Sequence, residues 1–458
     1  MTTRRTFLAT TIALGVTACA TTPSMTDTPP IVFVHGNGDT AGLWQTTIWR
    51  FESNGWPRER LHALDLPYPL ARDDDGRPQP GRSSSAEYMA FLKSEVERVL
   101  RATGASQVVL VANSRGGYAV RNYIQNGGGA HTVSHAILGG VPNHGVWHEM
   151  QGMSGGSEFA GAGPFLRALN APKNAAGDEV AGPVKWLTLR SDSNDKYAQP
   201  DGLWLGKRGQ PTGVTHAGPE LKGATNVVLP RVDHRETSFS PAAFDATYRF
   251  ITGRAPRTQE IVPEQRIVLS GKVSGLGVSS TDPASGSFAN NLPLPGARLE
   301  IHATDPATGV RRGAPAHAQG IGSDGRWGPF TAQPGTPYEF VISAPGYATT
   351  HIYRSPFPRS SAYVNMRPQR VTADADRSAA SLVILDRPRG YFDPGRDRMM
   401  FDGQNPPPGA VPGAGVSSSR IRPALPPRPV VAEFNGERIV GRNWPMAEGH
   451  VAVLELTY

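Results

Sequence analysis

A serine, a carboxylate and a histidine, each placed at the end of an apolar run, are the residues in this chain whose types and order could do chemistry without a metal. Val108-Val109-Leu110-Val111 leads into Ala112-Asn113-Ser114-Arg115-Gly116-Gly117. Four apolar, mostly β-branched residues followed by a serine among small residues describe a buried strand that turns sharply into a helix, lifting the hydroxyl clear of the sheet. Ala112 and Gly116 stand two residues before and two after the serine, where the turn brings strand and helix backbones together. The pattern is A-x-S-x-G in place of the commoner G-x-S-x-G. An ordinary strand–turn–helix capped by a serine would leave the same trace, so the reading depends on partners.

Partners follow in order. Val184 to Leu189 reads as a strand opening into Arg190-Ser191-Asp192-Ser193-Asn194-Asp195, and Asn226 to Val232 as a strand ending at Asp233-His234. In open parallel sheets, sites collect at the carboxyl ends of strands. Ser114 is then a nucleophile, His234 its general base, and an aspartate the group that fixes the imidazole tautomer. Asp192 and Asp195 both follow the right strand. Asp195, six residues past Leu189, leaves room for a loop to curl toward the histidine, whereas Asp192 among serines and an asparagine suits a turn. Asp233 is disfavoured because immediate neighbours rarely meet side chain to side chain. Backbone donors for a tetrahedral oxyanion are expected at Asn37, in the turn His35-Gly36-Asn37-Gly38 after the strand Ile31 to Val34, and at Arg115, next to the nucleophile. Such chemistry needs no cofactor.

The elements that must position these residues alternate strand and helix to about residue 255, which predicts a mostly parallel sheet with helices on both faces: an α/β class domain over 31–255. Leu61 to Leu66 and His135 to Val141 supply further strands. Ser84 with Glu87 forms a capping box before Met89, Leu92, Val96, Val99 and Leu100 at helical spacing, and Gly104 ends that helix. Ser240-Pro241 opens a last helix that closes near Gly253. Val146 to Pro183 has no clear period and is expected to be a flexible cover over the site.

With 458 residues, two or three domains are expected, and 52 glycines and 42 prolines favour turns over long helices. The net charge of +7 is scattered, without the basic and aromatic interleaving of a nucleic-acid surface. One cysteine, Cys19, excludes an intramolecular disulfide and cysteine-ligated metal sites. It falls in Val16-Thr17-Ala18-Cys19, after Arg4-Arg5 and a short apolar segment. Residues 1–20 therefore read as a twin-arginine export signal with a lipidation box at Cys19, implying a membrane-anchored periplasmic or outer-membrane product, and 21–30 as a tether. Cleavage after Ala20 would instead release a soluble protein.

From Ile267 short runs alternate with Pro, Gly, Asp and Ser turns. This predicts an all-β region: a sandwich-like domain over 262–370, then an irregular proline-rich segment from Ala373 to Pro429 and closing strands at 430–434 and 450–456. Ser323-Asp324-Gly325-Arg326-Trp327 reads as a hairpin turn. His302, His317, His351 and His450 lack metal-ligand spacing. The region is expected to engage large substrates and to contribute nothing to bond cleavage.

Phe33-Val34-His35-Gly36, the stretch Ala112 to Gly117, Gly140-Val141-Pro142-Asn143-His144-Gly145 and Asp233-His234 together resemble bacterial α/β-hydrolase lipases and esterases, among them a two-domain archaeal type with a C-terminal β-rich lipid-binding domain. Ala224 to Val227, Ile261-Val262-Pro263, Tyr338-Glu339-Phe340 and Tyr353 to Phe357 extend the likeness into the second half. The archaeal type carries its acid in the strand after the nucleophile helix. Ala136-Ile137-Leu138-Gly139-Gly140 offers no carboxylate there, so the acid must come from the later strand. The resemblance implies ester or lipid substrates. An aliphatic polyester depolymerase and an inactive binding lipoprotein are the competing expectations.

Overall fold

The computed structural model describes residues 28–205, 209–277 and 288–458; the expected export signal and Cys19 lie outside them. Six strands form one parallel sheet: β1 (Ile31–Val34), β2 (Leu61–Ala63), β3 (Val108–Asn113), β4 (Val133–Gly139), β5 (Lys185–Ser191) and β6 (Thr225–Leu229), in the order β2-β1-β3-β4-β5-β6. Strand β3, which leads into Ser114, is central and buried throughout. Its side chains alternate between two cores. Val108, Leu110 and Ala112 pack with Leu92 and Val96 of α2 (Ser85–Thr103) and Val120 of α3 (Arg115–Asn126). Val109 and Val111 pack on the opposite face with Ile48 and Phe51 of α1 (Gln45–Ser53), below Phe244 of a later helix (Pro241–Thr252). Burial on both faces explains why these strands read as continuous apolar runs.

Helix ends follow from local chemistry. Ser84 and Glu87 make a reciprocal capping box, and Gly104 closes α2 in the left-handed region at φ 66°. Ser240 caps the helix Pro241–Thr252, which Gly253 ends.

The second half is all β. A seven-stranded sheet runs in the order His317–Gly320, Arg298–Ala303, Tyr338–Ser343, Thr349–Arg354, His450–Glu455, Val383–Asp386, Ser418–Ile421. The pair Ile267–Lys272 and Arg326–Ala332 packs against it around Leu269, Trp327, Phe340 and Ile352. The seven-stranded sheet takes strands from both sides of residue 370: Thr349–Arg354 pairs in parallel with His450–Glu455, which pairs with Val383–Asp386. The stretch 373–429 is not merely irregular. It contributes three strands of three or four residues, Val383–Asp386, Met399–Phe401 and Ser418–Ile421, too short between prolines to show a period. The turn near Gly325 forms, but the strands flanking it join different sheets and make no hairpin.

The halves interlock. Trp49 of α1 is buried in the β-rich core, and its indole N–H donates to Ser360 O at 2.8 Å. Glu52 pairs with Arg359, and Asp65 accepts from Asn365.

Candidate active site

Ser114 sits between β3 and α3 with φ 50° and ψ −127°, left-handed backbone that a residue bearing a Cβ adopts at a cost of about 1–3 kcal/mol. That strain belongs to a strand-to-helix turn that holds the serine out from the sheet. The small flanking residues have a measurable cause: a Cβ on Gly116 would stand 2.5 Å from His35 O and 2.6 Å from Val34 O. Asn113, the variable position of the motif, donates through Nδ2 to Ser238 Oγ (2.8 Å), Gly139 O (3.1 Å) and His234 O (3.2 Å). It ties the nucleophile strand to the histidine loop.

His234 lies beyond β6. Its Nδ1–H donates to Asp195 Oδ1 at 2.8 Å and Oδ2 at 2.9 Å; the proton is on Nδ1 because an ionised carboxylate can only accept. Asp195 also accepts from Tyr197 N–H, and the Tyr197 ring meets the imidazole edge-on at 4.6 Å between centroids. His234 Nε2 is buried and has no hydrogen-bond partner among the described residues. Ser114 and His234 line one cavity of about 530 Å³. Asp192 is turned elsewhere: it accepts from Arg231 N–H at 2.7 Å and from Ser193 Oγ, closing the loop. Asp233 accepts from the N–H groups of Arg235 and Glu236, so it holds the turn that leads into the short helix Glu236–Phe239.

Asn37 lines the same cavity, its side chain accepting from Ala71 N–H at 2.8 Å. Arg115 is the first residue of α3, so its N–H lacks an intrahelical acceptor. Its guanidinium points away from the cavity into a buried ion pair with Glu158 (2.5 and 3.1 Å) and donates to Ser83 and Pro69 carbonyls. Burial pushes the Glu158 carboxyl up while Arg115 draws it down. Glu158 belongs to the segment expected to be a loose cover. That segment does wall the cavity, through Val146, Trp147, Met153 and Phe159, but Glu158 pins it beneath the nucleophile helix.

Sequence reasoning missed a second set of residues, supplied by the stretch after Asp386. Arg387 Nη1 donates to Asp233 Oδ2 (2.9 Å) and Nη2 to Glu236 Oε1 (2.6 Å), either side of the histidine turn. Arg396 pairs with Glu236, and Asn194, next to Asp195, donates to Asp393 Oδ2 at 3.0 Å. Tyr391 lines the Ser114 cavity. Lys196 Nζ lies 4.6 Å from the centre of the Tyr391 ring and donates to Gly415 O; burial brings its amine down to about 8. Groups from the β-rich half thus reach the wall of the cavity that holds Ser114 and the loops that carry Asp195 and His234.

A parallel sheet sandwiched by helices, with a serine at a strained turn after its central strand and a hydrogen-bonded acid and histidine beyond later strands, defines an α/β-hydrolase. Residues 28–163 match the family described as Lipase (class 2), and residues 265–371 the Lipase C-terminal domain. The chain belongs to the α/β-hydrolase lipases with a C-terminal domain, carboxylic ester hydrolases. Similar solved structures include a Bacillus licheniformis lipase, BlEst2, in its propeptide form, 15% identical over 92% of this chain and 94% of that one, with a TM-score of 0.35. Phospholipase PlaB from Legionella pneumophila is 11% identical over 94% and 93%, with a TM-score of 0.36. Carboxylesterase CesB from Bacillus subtilis is 12% identical over 50% and 85%, with a TM-score of 0.27.

Proposed function

We propose that this chain is an exported lipase or esterase that cleaves carboxylic esters through Ser114, His234 and Asp195 by way of an acyl-enzyme. The observation that carries the reading is the Asp195–His234 hydrogen bond at the wall of the cavity that holds Ser114. Ser114 Oγ attacks the acyl carbon as His234 Nε2 takes its proton. Asp195 keeps the imidazole in the tautomer with Nε2 free and stabilises the cation that forms. The N–H groups of Asn37 and Arg115 receive the tetrahedral oxyanion, each worth roughly 3–4 kcal/mol of transition-state stabilisation. His234 then protonates the leaving alcohol, and water repeats the sequence on the acyl-enzyme.

Apolar cavity walls at Val146, Trp147, Met153, Phe159 and Leu205 favour an aliphatic acyl group. The paired arginines and the cysteine at the N-terminus favour export and lipidation at Cys19. Hydrolysis of p-nitrophenyl esters of graded chain length tests the reading. Turnover is expected in the natural chain and none in Ser114→Ala. Ester turnover that survives Ser114→Ala places the nucleophile elsewhere.

A further inference from the structure

A second cavity, of about 280 Å³, lies between the hydrolase sheet and the β-rich half. The Asp39–Arg235 ion pair (2.5 Å) stands between it and the Ser114 cavity, since both residues line both. Four guanidiniums reach its wall: Arg235, Arg354, Arg367 and Arg389. They face three carboxyls, of Asp39, Asp386 and Glu455.

The charges do not cancel. Arg235 is matched by Asp39, and Arg354 Nη1 by Glu455 at 2.7 Å. Arg367 and Arg389 make no ion pair among the described residues. Arg389 donates to the carbonyls of Gly42, Leu456 and Thr457, and Arg367 to those of Gly275 and Asn290. Burial brings the Arg389 guanidinium down to about 10. Asp386, the remaining carboxyl on the wall, is pushed up to about 7 by burial and by Glu455; behind the wall, Asp65 acts on Arg367 and Glu437 on Arg389. Counted over the lining residues alone, the wall carries one positive charge in excess with Asp386 ionised and two with it protonated.

Polar groups on the wall are also left open. Among the described residues, Gln45, 1% exposed, has no partner for either amide atom, and Arg354, 2% exposed, has none for Nε or Nη2. Buried polar groups are ordinarily paired, and each unpaired one is costly. Convergent guanidiniums with open N–H groups match the oxygens of carboxylate and phosphate. The volume lies just below the roughly 300–1,000 Å³ of small-molecule pockets, so the ligand must be small.

We propose that this cavity binds a small soluble dianion bearing carboxylate or phosphate oxygens, held by Arg354, Arg367 and Arg389 and oriented by the Gln45 amide. Such a ligand joins the two halves, because Gln45 comes from the hydrolase half and the three arginines from the other. It does not depend on the role given to Ser114.

Calorimetric titration of the full chain with inorganic phosphate and, separately, with succinate tests the site, against chloride at matched ionic strength. Saturable binding of at least one dianion is expected, and which one binds tells phosphate from carboxylate chemistry. Ser114→Ala should bind equally well. Gln45→Leu, which leaves every charge in place, should weaken binding several-fold, and Arg367→Gln about tenfold or more. If Arg367→Gln does not fold, the natural chain and Gln45→Leu decide. No saturable heat with either dianion, or unchanged affinity in Gln45→Leu, overturns the proposal.

Discussion

Arg387→Met removes a buried cation that holds the histidine turn from the far half of the chain. In the native protein Asp233 is fully buried, and its Oδ2 accepts from Arg387 Nη1 at 2.9 Å and from Tyr391 N–H at 2.7 Å. The next cation, Arg396 Nη2, is 3.6 Å away. Glu236 loses a 2.6 Å partner at the same time but keeps Arg396. Removing one member of a buried pair and stranding the other costs about 3–5 kcal/mol, a large part of the 5–15 kcal/mol that stabilises a typical domain. Methionine fills similar volume beside the Phe434 ring, over which the guanidinium lies at 4.4 Å, so little of the loss should come from a cavity. His234 directly follows Asp233, and a displacement of the imidazole of about 1 Å is enough for a loss near 10²-fold in turnover. Urea unfolding should show the destabilisation. At a temperature where both proteins are folded, kcat on a soluble p-nitrophenyl ester should fall with KM little changed. Pairing the change with Asp233→Asn should restore part of the stability, because the stranded charge is then gone. Stability within about 1 kcal/mol of the natural chain together with unchanged kcat would refute the bracing role.

Asp195→Asn should lower turnover by about 10⁴-fold with the fold intact, because the imidazole loses the partner that sets its tautomer, while Asp192→Asn should cost far less; steady-state kinetics on the two variants decide between them. A chain ending near residue 260 should lose activity on short soluble esters as well as on emulsions, since Tyr391, Arg387 and Asp393 are removed from the site; activity retained on the soluble ester would contradict that. Glu339 supplies an acid limit. Burial pushes its carboxyl up, but hydrogen bonds from His351 and Arg311 outweigh this and hold it at about 2 instead of the usual 4.5. A depressed carboxylate stabilises fully above the unfolded value and loses that contribution as pH falls from about 4.5 through 2, here about 3 kcal/mol. Urea midpoints measured across that window should fall steeply in the natural chain and stay flatter in Glu339→Gln.

What was legible in the sequence was whatever a single strand or cap encodes. The parallel sheet could be read because its strands are buried on both faces and appear as apolar runs, and the ends of α2 because capping is a contact between residues three apart. Ser114, Asp195 and His234 stood out because each follows such a run. The residues that brace them did not. Arg387 and Asp233 are 154 positions apart, and Asn194 and Asp393 are 199 apart. A buried arginine in a proline-rich stretch looks in sequence like an exposed one. One local signal was present and went unused: Asn435-Gly436, both at positive φ (46° and 96°), is the turn that joins Pro429–Phe434 to Glu437–Arg442. Asparagine–glycine between alternating apolar residues is a strong short-range hairpin signal, and it predicts the strand after 436 that the reading of the closing segment omitted.

The same division of information explains why the β-rich half seemed separable. Its own strands carry no chemistry, so a reading that assigns function by motif treats it as an accessory. Its contribution lies in loops between short strands. These bring Arg387, Tyr391 and Arg396 against the acid and histidine loops and Arg389 against the Gly38 to Gln45 turn. The acid and histidine loops of the hydrolase sheet are braced by groups that arrive only when the last third of the chain is in place. A site built this way couples catalysis to completion of the whole fold. Under the proposed reaction, loss of the C-terminal strands should lower kcat on soluble esters before it lowers substrate capture, which kinetics on the shortened chain would show.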